Sequence, residues 1–266
     1  MKLAVQGRTA YAYTGGKPFA SEGPCVVFIH GALNDHSVWT LLARWYAHHG
    51  HRVLAVDQPG HGRSDGPPLA SIEALADWLL ALLDAAGVPN AHLVGHSMGS
   101  LIALEAAARA PARATGLVMV GTAYPMKVSD ALLATARDDP SRAIAMVNAF
   151  SHSSLASKPS YPGPGAWLRG GSSALMHRIQ SDAEGNLFEH DFRVCDAYAG
   201  GMQAAARVTC KAHLIVGSRD AMTPAKATKE LAGTLNAAVT RIVSGHALMQ
   251  EAPDAVLNAM RQAIPA

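Results

Sequence analysis

Short, fully apolar runs alternate with longer helix-forming segments along most of the 266-residue chain. Each run ends in glycine or a polar residue, which is typical of strands buried on both faces of a parallel sheet. The segments between the runs have the 3.6-residue apolar period of helices that pack on a sheet. The alternation therefore predicts an α/β fold with a doubly wound, mostly parallel sheet. The predicted strands are 25–31, 53–57, 92–97, 117–121, 213–218 and 239–243, and the predicted helices are 37–49, 71–86, 98–110, 224–235 and 253–263.

Two stretches depart from this alternation. Weak alternation over residues 3–14 predicts an antiparallel hairpin that turns at Gly7. Residues 124–210 contain no buried strand pattern, but they contain helical patterns and the turn-rich pieces KPSYPGPGAW and AEGNLFEH. Because open α/β sheets bind ligands at the carboxyl ends of their strands, we expect this insertion to form a helical cap over that edge. The expected core is thus 1–123 and 211–266, and the cap helices are predicted at 129–136, 140–150, 172–181 and 194–206.

Composition argues against several classes of protein. The net charge is +2 and no basic run is present, so we expect neither nucleic acid nor a membrane surface as a partner. No stretch of about 18 apolar residues predicts a membrane span, and the first residues lack the apolar core of a secretory signal. Cys25, Cys195 and Cys210 are odd in number and widely spaced, which favours free thiols and a cytoplasmic location. No feature indicates an oligomeric state.

The stretch LVGHSMGS (93–100) places Ser97 between Gly95 and Gly99, where an apolar run meets an alanine-rich helix former. A nucleophile held at such a strand-to-helix turn has a strained backbone, so its neighbours two positions away must be small. The helix N-terminus adds free N–H groups beside the serine. Ser97 is therefore the candidate nucleophile, and His96 is expected to point away from it as a packing or hydrogen-bonding residue.

A serine hydroxyl needs a base, and that base needs a partner. His246 follows the last predicted strand, in SGHALMQEAPDAV, and Asp220 follows the strand 213–218. Carboxyl ends of parallel strands meet at one edge of a sheet, so both side chains should emerge on the side of Ser97. Asp220 also precedes Thr223 and Pro224, where it could act simply as a helix cap. We predict that His246 is the base and Asp220 its acid partner.

With these residues, the chain resembles the α/β-hydrolase fold superfamily, whose chain order is nucleophile, acid and histidine. FIHGALNDHSVW (28–39) resembles its His-Gly loop, and VDQPGHGRSDG (56–66) resembles its Asp-x-x-Gly-x-Gly-x-Ser loop. The resemblance implies that the backbone N–H groups of Ala32 and Met98 form an oxyanion hole, with His30 bracing the loop. Ser100 departs from the glycine of many relatives, and a serine nucleophile argues against haloalkane dehalogenase and epoxide hydrolase chemistry.

The sequence thus predicts a serine hydrolase that cleaves a small or medium, largely apolar carboxylic ester, lactone or thioester through an acyl-enzyme, with a small molecule as substrate and no cofactor or metal. Three alternatives remain open: a C–C bond hydrolase of a vinylogous diketone, a cofactor-free perhydrolase or haloperoxidase-like enzyme, and a ligand-binding receptor that retains the triad. Bulky side chains that could line the substrate pocket, or only pack within the protein, are Leu33, Trp39, Phe150, Trp167 and Phe188.

Overall fold

The computed structural model describes residues 1–153 and 167–265. In these ranges eight strands form one sheet in the order β1-β2-β4-β3-β5-β6-β7-β8. The hairpin of β1 and β2 is antiparallel, β2 lies antiparallel to β4, and every other pair is parallel. The strands are β1 Lys2–Val5, β2 Arg8–Tyr13, β3 Cys25–Ile29, β4 Arg52–Val56, β5 Ala91–His96, β6 Ala114–Val120, β7 Ala212–Gly217 and β8 Ala238–Ile242.

Helices cover both faces of this sheet. The helices α2 and α3 pack on one face in a cluster that contains Val27 and Ile29, while α1 and α11 pack on the other with Val26 and Phe28. Successive side chains of β3 therefore enter two different hydrophobic cores, which is why the strand is apolar throughout. The helices are α1 Thr40–His48, α2 Ile72–Ala85, α3 Met98–Arg109, α4 Asp130–Asp138, α5 Pro140–Ser151, α6 Leu168–Asp182, α7 Leu187–Ala197, α8 Gly201–Ala205, α9 Lys229–Thr234, α10 Leu248–Glu251 and α11 Pro253–Ala263.

Each predicted strand corresponds to an observed one, but β8 is less buried than its pattern suggests. It is the last strand of the sheet, and Val239 is 44% exposed. The apolar run 239–243 predicted a strand covered on both faces, and that part of the prediction is wrong. Position at the sheet edge, which periodicity does not report, sets the burial of this strand.

Among the described residues, five helices, α4 to α8, lie between β6 and β7, in the part of the chain expected to form a cap; these helices and their connections are called the cap below. The predicted helix 194–206 is in fact two helices, because α7 ends at Ala197 and α8 begins at Gly201, with glycine at positions 200 and 201. Most of the turn-rich piece 158–167 lies outside the described residues. The cap boundaries at residues 124 and 210 stay a prediction.

No helix in the two described ranges is long and apolar enough to cross a lipid bilayer.

Candidate active site

Ser97 stands at the junction of β5 and α3 with a backbone φ of 52°, a left-handed value that is uncommon outside glycine. A methyl group added to Gly95 would overlap the carbonyl oxygen of Gly99, and one added to Gly99 would overlap the carbonyl oxygen of Ile29. The elbow therefore packs so tightly against itself and against the end of β3 that only glycine fits at both positions. This packing presents Ser97, half-buried, at the carboxyl edge of the sheet.

Two backbone N–H groups lie close to this serine. Met98 is the first residue of α3, and the first N–H groups of a helix have no partner within it. On the other side, a methyl group added to Gly31 would lie 3.1 Å from Cβ of Ser97, so the His-Gly loop passes directly beside it. Ala32 follows Gly31 and lines the same cavity as Ser97. The two amides assigned to the oxyanion hole thus belong to segments that adjoin Ser97.

His246 and Asp220 are in direct contact at the same edge. Nδ1 of His246 lies 2.8 Å from Oδ2 of Asp220, and both side chains are buried. The other carboxylate oxygen of Asp220 accepts hydrogen bonds from the backbone N–H groups of Met222 and Thr223, each at 2.8 Å. Asp220 therefore caps the following turn as well as holding the imidazole. The two roles weighed for this residue are compatible.

The electrostatics of this pair favour a charged carboxylate. Burial alone would raise the pKa of Asp220, but the charge and hydrogen bond of His246, together with the bonds from Thr223, outweigh it and hold that pKa below its usual range. The hydroxyl of Thr223 donates to Oδ2 of Asp220 at 2.7 Å. The site can thus keep a negative charge next to Nδ1 of His246.

Sequence reasoning missed a second buried carboxylate beside His246. Glu251, at the end of α10, accepts hydrogen bonds from the backbone N–H of Gly245 at 2.8 Å and from the hydroxyl of Ser244 at 3.1 Å. It also accepts from the backbone N–H of Ser153 at 2.6 Å, just after α5. This carboxylate therefore ties the segment before His246 to the cap. The only signal in the sequence is an acidic residue shortly after the histidine.

The loop after β4 is a brace for the His-Gly loop. Nε2 of His30 accepts from the backbone N–H of Gln58 at 3.1 Å, and Nδ1 of His30 donates to the carbonyl oxygen of Gly31 at 2.8 Å. Burial lowers the pKa of His30 to about 4, so the ring is neutral at neutral pH. Oδ1 of Asp57 accepts from the backbone N–H of His36 at 2.8 Å. These contacts hold two loops together beneath the site.

Ser97 and His246 line one cavity between the sheet edge and the cap. Its lining is mostly apolar and rich in methionine, and it includes the His-Gly loop, the elbow and the loop of His246. The lining side chains include Met126, Lys127, Val128, Val147, Ser151, Ser172, Met176, Phe192 and Cys195 from the segment between β6 and β7, and Ala32, Asn34, Val38, His96, Met222, Thr223, Met249 and Gln250 from the rest of the fold.

The five side chains predicted to line the substrate pocket lie elsewhere in the structure. Leu33 and Phe188 are fully buried in the hydrophobic cluster of the cap, and Trp39 is fully buried beneath the sheet against Phe28. Phe150 and Trp167 are exposed, at 56% and 67%. Of the two roles that the sequence left open for these side chains, packing within the protein is the one seen for Leu33, Trp39 and Phe188, because apolar character alone does not report which way a side chain faces.

In the parts of the chain that the structure describes, no group of three His, Cys, Asp or Glu side chains is arranged to hold a metal ion. Cys195 faces the cavity, but burial raises the pKa of its thiol, so it is not a thiolate at neutral pH. The groups available for chemistry are thus the hydroxyl of Ser97, the imidazole of His246, the carboxylate of Asp220 and the backbone amides.

The chain resembles known proteins in both sequence and structure. A family model described as alpha/beta hydrolase fold matches residues 24–162. The chain is 39% identical over 106 residues to the pimeloyl-acyl-carrier-protein methyl ester esterase of Methylococcus capsulatus, a match that covers 38% of each protein. The chain spans less than half the length of the curated relatives that it matches.

Two solved structures resemble the whole described fold. The enol-lactonase from Burkholderia xenovorans LB400 superposes with a TM-score of 0.79 at 21% identity, over 98% of both chains. The esterase EaEST from Exiguobacterium antarcticum superposes with a TM-score of 0.82 at 16% identity, again over 98% of both chains. At these identities the likeness establishes a shared fold.

Proposed function

The chain belongs to the α/β hydrolase fold family, and on that basis we propose that it is a serine hydrolase of a small or medium, largely apolar carboxylic ester, lactone or thioester. One observation carries the proposal. Ser97, held at a positive φ at the start of α3, shares a cavity with His246, whose Nδ1 is bonded to a buried carboxylate. Nucleophilic catalysis by serine requires a base near the hydroxyl and a group that orients that base, and this arrangement supports both roles.

In the proposed reaction, His246 removes the proton from Ser97 as its oxygen attacks the substrate carbonyl. Asp220 fixes the tautomer of His246 and stabilises its charged form. The N–H groups of Ala32 and Met98 donate hydrogen bonds to the developing oxyanion, and loss of one such donor typically costs about 10²–10³ in rate. His246 then protonates the leaving alcohol or thiol, and a water activated by the same imidazole releases the acid from the acyl-enzyme.

The mostly apolar lining of the cavity supports an apolar acyl group, and Lys127, which also lines the cavity, is paired with Asp196. Four methionines, at positions 126, 176, 222 and 249, line it together with Phe192. Methionine is flexible and polarisable and adapts to ligands of different shape. We therefore expect acyl chains of several lengths to be accepted at similar rates. The similarity to a methyl ester esterase supports carboxylic esters as the first class to test.

The decisive experiment compares Ser97→Ala with Ser172→Ala, a control that removes another hydroxyl from the same cavity. We expect Ser97→Ala to lower the turnover of short p-nitrophenyl esters by about 10⁶, to background, because triad residues act as a unit. It should also abolish labelling by a fluorophosphonate probe. Ser172→Ala should remain within a few-fold of the wild type. Undiminished turnover in Ser97→Ala would refute the proposal.

Parallel assays of the wild type with other substrates separate the alternative activities. Lactones, thioesters, dienone acids and a peroxide-dependent halogenation assay should be run beside the esters with purified protein. Turnover of dienone acids in preference to esters would assign C–C bond hydrolysis. Saturable binding of a ligand without its turnover would assign a receptor.

A further inference from the structure

A buried carboxylate of the cap reaches the loop that carries Ala32. Asp191, in α7, is 2% exposed, and its Oδ2 accepts a hydrogen bond from the backbone N–H of Leu33 at 2.8 Å. The same oxygen lies 2.9 Å from Nε2 of His61, in the loop after β4. Leu33 directly follows Ala32 in the chain. One atom of the cap thus joins the His-Gly loop to the loop after β4.

The backbone of Leu33 needs such support. Its φ is 52°, a left-handed value that is a genuine outlier for a bulky side chain and persists only where the surroundings impose it. The side chain of Leu33 is fully buried among cap residues that include Ile144 and Phe188. Residues of the cap therefore hold both the N–H group and the side chain of Leu33. These contacts orient the peptide unit that joins Ala32 to Leu33.

The charge on Asp191 is balanced within the site. Nδ1 of His61 lies 3.1 Å from the carbonyl oxygen of Pro59 while its Nε2 faces Asp191, so both ring nitrogens face acceptors. Burial would lower the pKa of His61, but the carboxylate of Asp191 outweighs it and raises that pKa above its usual value. A protonated His61 leaves the carboxylate free to accept from Leu33 without an uncompensated buried charge.

A second contact from the cap holds the far end of the loop. A guanidinium nitrogen of Arg178, in α6, lies 2.7 Å from Oδ2 of Asp35. The Oδ1 atom of Asp35 accepts the backbone N–H of Ser37 at 2.8 Å and so caps the turn that follows. Because Arg178 is 57% exposed, this contact is the weaker of the two. The buried bond of Asp191 is the one that fixes the loop.

We propose that Asp191 is a positioning residue, through which the seated cap orders the oxyanion-hole loop. The inference rests on the proposed function, because an oxyanion hole matters only if the chain cleaves a carbonyl substrate. Asp191 touches no reacting atom in this arrangement. It acts through Leu33 on the amide of Ala32, so its removal weakens stabilisation of the transition state more than binding of the substrate.

The test compares Asp191→Ala, Asp191→Asn and Glu189→Gln. The asparagine can place its amide oxygen where Oδ2 lies, so that it still accepts from the N–H of Leu33 and from Nε2 of His61 while the negative charge is lost. Glu189 lies on the same helix in an ion pair with Arg193, away from the loop. We expect Asp191→Ala to lower kcat by about 10- to 100-fold with KM changed less than about threefold. Asp191→Asn should recover kcat to within about threefold of the wild type, and Glu189→Gln should match the wild type.

Two further readouts separate positioning from loss of folded protein. Titration with a fluorophosphonate measures the fraction of active sites, and the observed rate divided by the concentration of those sites gives kcat per intact site. A trifluoromethyl ketone, which forms an oxyanion with the serine, should bind Asp191→Ala more weakly by the same factor as kcat/KM falls. An unchanged kcat per labelled site in Asp191→Ala, or an equal loss in Asp191→Asn, would overturn the inference. Ser97→Ala is run in parallel, and its retained turnover would instead overturn the proposed function.

Discussion

Nε2 of His96 donates a hydrogen bond to the carbonyl oxygen of His246 at 3.0 Å, and the two rings lie 4.7 Å apart between centroids. The residue before the proposed nucleophile therefore holds the backbone of the proposed base. Burial lowers the pKa of His96 to about 3, so the ring is neutral at neutral pH and serves as a fixed donor. The sequence predicted a packing or hydrogen-bonding residue that points away from Ser97; the side chain makes this hydrogen bond and also lines the cavity.

Replacing His96 with phenylalanine tests this contact, because the ring is kept and the donor is lost. The carbonyl of His246 then loses its partner, and we expect kcat/KM to fall by about 3- to 10-fold, as for one neutral hydrogen bond. The exposed His48 gives the control His48→Ala, which should leave kcat/KM unchanged. An unaltered kcat/KM in His96→Phe would show that other contacts suffice to hold the His246 loop.

The substitution Glu251→Gln should destabilise the protein and slow catalysis together. The two carboxylate oxygens accept backbone N–H groups from Gly245 and Ser153, and an amide offers an oxygen to only one of them. A buried N–H group left without an acceptor costs about 1–3 kcal/mol, so we expect a loss of that size in urea unfolding at neutral pH. Glu230→Gln, an exposed change on α9, is the control and should alter neither stability nor kcat.

The stability lost in Glu251→Gln should also depend on pH. Burial would raise the pKa of Glu251, but the hydrogen bonds from Ser153, Gly245 and Ser244 outweigh it and lower that pKa. A lowered carboxyl pKa contributes stability above the unfolded value, and this contribution disappears as the pH falls through the folded value. The difference between wild type and variant should therefore shrink below about pH 4. A constant difference down to acid pH would contradict the role of the charge.

The strand ends could be predicted from the sequence because local patterns define them. Ser97, Asp220 and His246 each follow a run of apolar residues, and a parallel sheet brings such ends to one edge. The contacts around them could not be predicted in the same way. Asp191 meets Leu33 across 158 positions of the chain, and no periodicity relates the two. Trp39 has the character of a pocket residue and yet packs beneath the sheet.

Gly95→Ala should destabilise the protein and lower its fraction of active sites, whereas Gly233→Ala should not. A methyl group at Gly95 overlaps the carbonyl oxygen of Gly99, and backbone atoms cannot move aside as a flexible side chain would. Overpacking of this kind costs about 1–3 kcal/mol or more. At Gly233, in α9, a methyl group meets nothing within 4 Å, and alanine favours a helix by about 1 kcal/mol. Thermal unfolding and fluorophosphonate labelling of both variants measure the contrast. A fully labelled, stable Gly95→Ala would contradict the packing at the elbow.

The ion pair of His61 and Asp191 should stabilise the protein more at acid pH than at alkaline pH. The pKa of His61 is raised in the folded protein, and the charge of Asp57, like that of Asp191, favours the protonated form. The ring of His30 packs beside the ring of His61, with 5.0 Å between their centroids. A raised histidine pKa contributes stability that is fully present below the unfolded value and is lost as the pH rises through the folded value. His61→Gln keeps a donor for Asp191 but has no charge, so it should be less stable than the wild type by about 1–2 kcal/mol at pH 6.

That difference should decrease steadily between about pH 6 and pH 9, when urea unfolding is measured at each pH. His190→Gln is the matched control. His190 precedes Asp191 on α7, and it bonds the backbone carbonyl of Leu69 rather than a carboxylate. Its stability relative to the wild type should not follow the same trend. If the deficit of His61→Gln grew with rising pH instead, His61 would be neutral in the folded protein, and the charge balance at Asp191 would have to be reassigned.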